Sequence, residues 1–176
     1  MKELSLNILD IVQNSVKAGA SQIGVELLET DELFTLLVTD NGCGMDKEML
    51  SHVDDPYTTT RDTRRVGLGI PLLKLAAEQA GGGIDIQSEP GKGTRLTATF
   101  AQGHLDKPPL GDIVSTVVTL IQGSPDLDFC YRHVFPDGHE ASLDTQTLRQ
   151  ALDGVPLSEP DVLDWIAASL NEEERN

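Results

Sequence analysis

Basic residues are scarce in this chain of 176: thirteen Lys and Arg stand against 29 Asp and Glu, for a formal charge of -16. That balance works against binding a polyanion by counterion release, and against anionic membrane surfaces. Cysteine is scarcer. Cys43 and Cys130 are the whole complement, too few for a disulfide framework in a chain long enough to bury a core without one. Long apolar runs are missing as well. No stretch approaches the roughly 18 apolar residues of a membrane span, and Met1-Lys2-Glu3-Leu4 opens the chain without the apolar core of a secretory signal. The expectation is a cytoplasmic protein with neither nucleic acid nor membrane among its partners.

What is present describes a globular protein. Hydrophobic residues make up 39% and there are 16 glycines, the composition of a chain that folds. Acidity is uneven: residues 1–101 hold 9 basic and 15 acidic side chains, residues 102–176 hold 4 and 14. Between the halves, residues 103–111 (Gly103-His104-Leu105-Asp106-Lys107-Pro108-Pro109-Leu110-Gly111) are rich in Pro and Gly with no apolar period, and read as a linker. Two parts are expected, residues 1–102 and a small acidic α+β module at 112–176.

Periodicity in the first part predicts a helix over 3–18, with Leu4, Ile8, Ile11, Val12 and Ser15 on one face and an end at Gly19. Strands follow at 23–28 and 33–39, a short helix at 46–53, and a mobile loop at 54–66 rich in Thr and Arg. A helix at 68–80 tolerates Pro71 in its first turn. Strands at 84–88 and 94–100 face each other across a Pro-Gly turn. This order suggests a two-layer α/β sandwich with one sheet covered on one face. The second part reads as helix 112–122, strand 129–135, a turn at Asp137-Gly138, a short strand to Leu143, and helices near 145–152 and 159–172.

Four places carry chemistry. At about 100° per residue, Asp10, Asn14 and Lys17 lie within about 60° of one another on the first helix, opposite its apolar face. Asp40-Asn41-Gly42-Cys43-Gly44-Met45 ends a strand with a carboxylate and two glycines, and an ionised acid can accept the exocyclic amine of an adenine. Gly67-Leu68-Gly69 opens a helix, where free N–H groups and the helix dipole suit an anion, with Arg61, Arg64 and Arg65 before it. Gly91-Lys92-Gly93-Thr94 closes a hairpin. Each alone has an ordinary structural explanation, as a solvated helix face, a strand-ending turn, a helix start or a common hairpin.

Taken in order, these four signals resemble the ATP-binding boxes of the gyrase, heat-shock chaperone, histidine kinase and mismatch-repair superfamily, called GHKL. The resemblance covers about residues 3–101. The run Asp55-Pro56-Tyr57-Thr58-Thr59-Thr60-Arg61, with Gly67-Leu68-Gly69-Ile70, Gly82-Gly83 and Pro90-Gly91-Lys92-Gly93-Thr94, looks most like a histidine kinase catalytic domain. It implies the Bergerat-type ATP-binding sandwich. It also implies residue roles: Asn14 as the N-box Asn that ligates Mg²⁺ on the phosphates, Lys17 near the phosphates, and Asp40 as the reader of adenine. Thr94 would support that contact through water, and Gly42 and Gly44 would let the backbone approach. Gly67, Leu68 and Gly69 would face the phosphates under a lid from about 56 to 66 that includes Thr58, Thr59, Thr60, Arg61, Arg64 and Arg65.

Two departures shape the functional expectation. Asp10 stands where hydrolysing members carry Glu and histidine kinases usually carry Asn; one methylene shorter than Glu, it is a candidate for positioning water or accepting a hydroxyl proton. Few residues precede the Asn14 helix, so no phosphoacceptor hairpin is expected and any acceptor would come from a partner, as in stand-alone anti-sigma kinases. The expectation is a regulatory ATPase or phosphotransferase using ATP and Mg²⁺ to control a partner protein. Its rivals are a non-catalytic, ATP-dependent scaffold and an anti-sigma-like protein kinase acting in trans. Without a transducer domain or a basic patch, a role in DNA topology or repair is not expected. Cys130, His133 and His139 have a metal-like spacing, but Cys130 and His133 point to opposite faces of a strand. The terminal helix bears Val162, Leu163, Trp165, Ile166 and Leu170 on a helical period, and 172–174 reads as a solvated acidic end.

Overall fold

The computed structural model describes residues 3–55 and 68–175. The first helix, α1 (Leu4–Lys17), buries Leu4, Ile8, Ile11, Val12 and Ser15, the stripe that its periodicity marks. It is followed by β1 (Gln22–Glu29) and β2 (Leu33–Asp40), joined by a turn in which Thr30 Oγ1 accepts from the Leu33 N–H at 2.9 Å. In both strands buried and half-buried residues alternate, so that Ile23, Val25, Leu27, Phe34, Leu36 and Val38 share one face. Next come α2 (Lys47–His52), capped by Asp46, then α3 (Gly69–Gln79), β3 (Gly83–Glu89) and β4 (Gly93–Ala101). The expected loop at 54–66 falls almost wholly outside the described residues.

The remaining elements are α4 (Ile113–Gly123), β5 (Asp128–Val134), β6 (Glu140–Asp144), α5 (Thr145–Leu152) and α6 (Pro160–Arg175). Asp112 and Asp144 cap α4 and α5, each accepting backbone N–H groups that the helix itself leaves unpaired. Hydrogen bonds from Ser115 hold the Asp112 carboxyl below the usual carboxylate range. No helix among the described residues is long and apolar enough to cross a membrane.

All six strands form one sheet, in the order β3-β4-β2-β1-β5-β6. β5 lies parallel to β1, with Ile23 opposite Phe129 and Leu27 opposite His133, while the other neighbours are antiparallel. The helices α3, α1, α4 and α6 pack side by side in that order, and their apolar faces meet the sheet in one continuous buried cluster running from Leu73 to Leu170. The other sheet face carries Thr35, Thr39, Thr97, Glu26, Arg132 and Ser142. This is a two-layer α/β sandwich, with helices packed on one face of the sheet.

The second part is therefore built into the first. Residues 103–111, which read as a linker, close the start of α1: the Leu4 N–H donates to Pro109 O at 2.9 Å and the Ser5 N–H to Leu110 O at 2.8 Å. Those donors have no partner within the helix, and Glu3 at the cap position makes no side-chain bond to them. From α4, Thr116 Oγ1 reaches Ser5 O. Composition marks a change of chain character at 103–111, but strand pairing and helix packing run across it.

Candidate functional site

Along α1, Asp10, Gln13, Asn14 and Lys17 line a cleft of about 120 Å³ whose other wall is Leu68, Gly69 and Leu72, at the start of α3. The helical period gathers the first wall. The second is brought up by the seating of α3 on β3 and β4, beside α1. The two walls are close, since a Cβ built on Gly69 would lie 3.6 Å from Asp10 Cβ. Among the described residues no side chain caps α3 at Leu68, and its first turn holds no acid. The amide groups and positive dipole end of α3 thus look onto an acid, an amide and an ammonium group, a combination suited to an anion with a counter-cation.

Asp40 ends β2 opposite Thr94 of β4. Its carboxylate is pinned from two sides: Ser15 Oγ donates to Oδ2 at 2.6 Å and the Gly42 N–H donates to Oδ1 at 2.9 Å. Each oxygen keeps acceptor capacity for an incoming N–H. Thr94 Oγ1 shares a hydrogen bond of 2.8 Å with Ser88 Oγ, which also donates to Gly93 O and accepts from the Met45 N–H. The Gly91 N–H donates to Cys43 O at 2.7 Å. The loop after β2 is stitched to the β3-β4 hairpin around Asp40.

This stitching gives Gly44 and Gly93 a backbone contact that the sequence reading does not assign to them. Gly44 has φ +70°, and a Cβ there would stand 2.0 Å from Glu89 O; Gly93 has φ +102° and would stand 2.0 Å from Asp40 O. At both, chain-on-chain contact demands glycine before any ligand arrives. Gly44→Ala is expected to destabilise the chain by about 2 kcal/mol, through strain at a left-handed position and a backbone clash. Chemical denaturation of the folded chain checks this.

The structure thus gathers Asp10, Asn14, Lys17, Leu68 and Gly69 in one cleft, and sets Asp40, Gly42, Gly44 and Thr94 in a second group joined to it through Ser15, the neighbour of Asn14. Gly67 and Thr58, Thr59, Thr60, Arg61, Arg64 and Arg65 lie outside the described residues. By its period Ser15 belongs to the apolar face of α1, and neither Gln13 nor Ser88 carries a motif that marks it in the sequence. The available signal for Ser15 was a hydroxyl in an otherwise apolar stripe. As for metal, Asn14 and Asp10 offer the amide and carboxylate oxygens that Mg²⁺ prefers, and one or two such ligands suffice when phosphates and water complete the shell.

Three rival readings can be placed. His133 cannot join Cys130 and His139 around a metal, because both of its ring nitrogens are held by Glu29 and Glu174. Among the described residues no group of three His, Cys, Asp or Glu is placed to hold a metal. Partial desolvation of its sulfur, with Asp144 and Glu26 nearby, pushes the thiol of the otherwise exposed Cys130 up, away from the reactive thiolate. In α6, Leu163, Ile166 and Leu170 are buried in the core while Trp165 remains exposed. The acidic end of that helix is not simply solvated, since Glu174 accepts from Tyr131 Oη at 2.6 Å and Glu173 from the Ser142 N–H at 2.8 Å.

The profile of the family described as histidine kinase-, DNA gyrase B-, and HSP90-like ATPase matches residues 2–104. A putative sensor protein of Shewanella frigidimarina (strain NCIMB 400) is 31% identical over 109 residues, covering 60% of this chain and 17% of that protein. Sporulation kinase D of Bacillus subtilis (strain 168) is 32% identical over 100 residues, covering 57% and 19%. A probable C4-dicarboxylate sensor kinase of the same organism is 28% identical over 86 residues, covering 49% and 16%. The chain thus spans less than a fifth of these relatives. A solved structure, the N-terminal domain of a DNA repair protein, is alike in fold, with a TM-score of 0.57 at 16% identity over 81% of this chain and 52% of that one. That likeness reaches beyond residues 2–104, in keeping with a sheet that runs through both parts. With the matched residues spanning more than half of the chain, this protein belongs to the histidine kinase-, DNA gyrase B- and HSP90-like ATPase family.

Proposed function

We propose that the chain binds ATP with Mg²⁺ between α1 and α3, and that it is a cytoplasmic regulatory ATPase or phosphotransferase acting on a partner protein. The observation that carries this is the meeting of Asp10, Asn14 and Lys17 with the start of α3, where no side chain among the described residues caps the helix, beside a carboxylate at Asp40 oriented by Ser15 and the Gly42 N–H. Asp40 accepts the adenine amine, and Thr94 backs it. Asn14 offers its amide oxygen to the metal, Lys17 neutralises phosphate charge, and the Gly69 end of α3 presents backbone donors. Bound Mg²⁺ supplies neutralisation of the phosphates. The work left to the protein is mostly positioning and electrostatic support. Asp10, in the cleft wall, orients water or takes the proton of an acceptor hydroxyl.

Titration with ATP and Mg²⁺ tests the site. Asp40→Asn and Asn14→Ala are each expected to weaken binding about 10- to 100-fold, the range for losing a hydrogen bond to a charged group; unchanged affinity in both removes the assignment. The fate of γ-labelled ATP, with and without host extract, tests the activity. Asp10-dependent release of phosphate means an ATPase, and label on an extract protein means a kinase acting in trans. Intact ATP that remains bound means the nucleotide-dependent scaffold instead.

A further inference from the structure

Asn7 belongs to neither the core nor the cleft wall as the sequence presents them. It is 3% exposed, three residues before Asp10 and seven before Asn14, so the three share one stripe of α1. Its Nδ2 donates to Gly69 O at 3.0 Å, a contact spanning 62 residues that ties α1 to the first residue of α3. Its Oδ1 is buried and has no hydrogen-bond partner among the described residues. A buried acceptor left unpaired costs stability, and a leucine of similar shape would avoid that cost beside Leu4, Ile8 and Ile11. What the asparagine adds is the tether to Gly69.

We infer that Asn7 is a positioning residue for the phosphate end of the site: through Gly69 it sets where the first turn of α3 stands against Asp10 and Asn14. The inference rests on the nucleotide reading above. Among the described residues α3 has no side-chain cap that would hold its start, and Asn7 supplies a side-chain tether from α1 to that turn. Backbone donors aimed at a phosphate lose much of their effect when displaced by about 1 Å, because the gain lies in pre-set geometry. The adenine end is held separately, by Ser15, Gly42 and the hairpin at Ser88 and Thr94.

The test compares ATP with adenosine, which lacks phosphates, by calorimetry on the whole chain in the presence of Mg²⁺. For Asn7→Leu we expect a thermal midpoint equal to or above the parent's, adenosine affinity within about twofold, and ATP affinity about tenfold weaker. The readout is the fall in preference for ATP over adenosine. Should Asn7→Leu not fold, Asn7→Ser carries the same comparison with less bulk. Unchanged preference overturns the inference, and so does equal weakening of both ligands, which marks a merely structural role. A parent chain that binds neither ligand overturns the nucleotide reading itself, a result separable from either of these.

Discussion

A chain ending at residue 104, where the family match stops, is expected to lose its cooperative fold and with it any nucleotide binding. The cut removes β5 from the side of β1, leaving a long strand edge in what was the middle of a six-stranded sheet. It also removes α4 from the flank of α1 and the carbonyls of Pro109 and Leu110 from the free N–H groups of Leu4 and Ser5. Each large apolar side chain returned to water costs roughly 2 kcal/mol, and a domain is stable by only about 5–15 kcal/mol in total. A few such exposures suffice, because the core is continuous from Leu73 to Leu170. Urea unfolding followed by circular dichroism decides the matter. A shortened chain that unfolds in one sharp transition, near the parent's midpoint, would show that residues 105–175 are an accessory.

Stability is expected to fall as pH rises through neutrality, because of a buried histidine at the other end of β1. His133 is 1% exposed; its Nε2 lies 2.6 Å from Glu29 and its Nδ1 2.9 Å from Glu174. Gln102 donates to the second oxygen of Glu29 at 2.9 Å, Tyr131 Oη donates to Glu174, and Phe135 stacks on the imidazole. Burial by itself would push the imidazole down, but the hydrogen bonds and charges of Glu174 and Glu29 outweigh it and hold the group above its ordinary 6.5. A pKa raised on folding means the native state holds the proton more tightly than the unfolded chain. The stabilisation is then fully present below about 6.5 and lost as pH climbs through the raised value. On losing its charge, His133 leaves two partly buried carboxylates on either side of a neutral ring.

Denaturation at a series of pH values from 6 to 9 measures this decline. Glu174→Gln removes one partner, so its stability profile should be flatter over the same range than the parent's. His133→Leu should cost about 3 kcal/mol at pH 6, since it strands two partly buried carboxylates. Parallel profiles for parent and Glu174→Gln would rule out a role for the cluster. The same variants should loosen α6, because Glu174 is its bond to His133 and Tyr131.

Much of the site could be read from the sequence because its parts are local. On α1 a single period separates Leu4, Ile8 and Ile11 from Asp10, Asn14 and Lys17, and the structure keeps that division. The strand alternation in β1 and β2, the short helix after Asp46, and the helix that begins beside Gly69 follow from equally short-range patterns. Asn7 and Ser15 escape because the period places Ser15 on the apolar face and Asn7 at the border between that face and the polar stripe, where neither signals its contact. Their partners, Gly69 and Asp40, lie 62 and 25 residues away.

By itself, then, the sequence determined the elements, the family resemblance and which side chains share the polar face of α1, since helical and strand periods act over a few residues. Tertiary structure decided that β5 completes the sheet beside β1, and that residues 103–111 close α1. It also decided that Gly44 and Gly93 serve backbone contact, and that His133 is enclosed by Glu29 and Glu174. These depend on register between segments up to about a hundred residues apart. A strand carries in its own sequence the need for a neighbour, but which strand meets that need is settled by the packing of the whole chain.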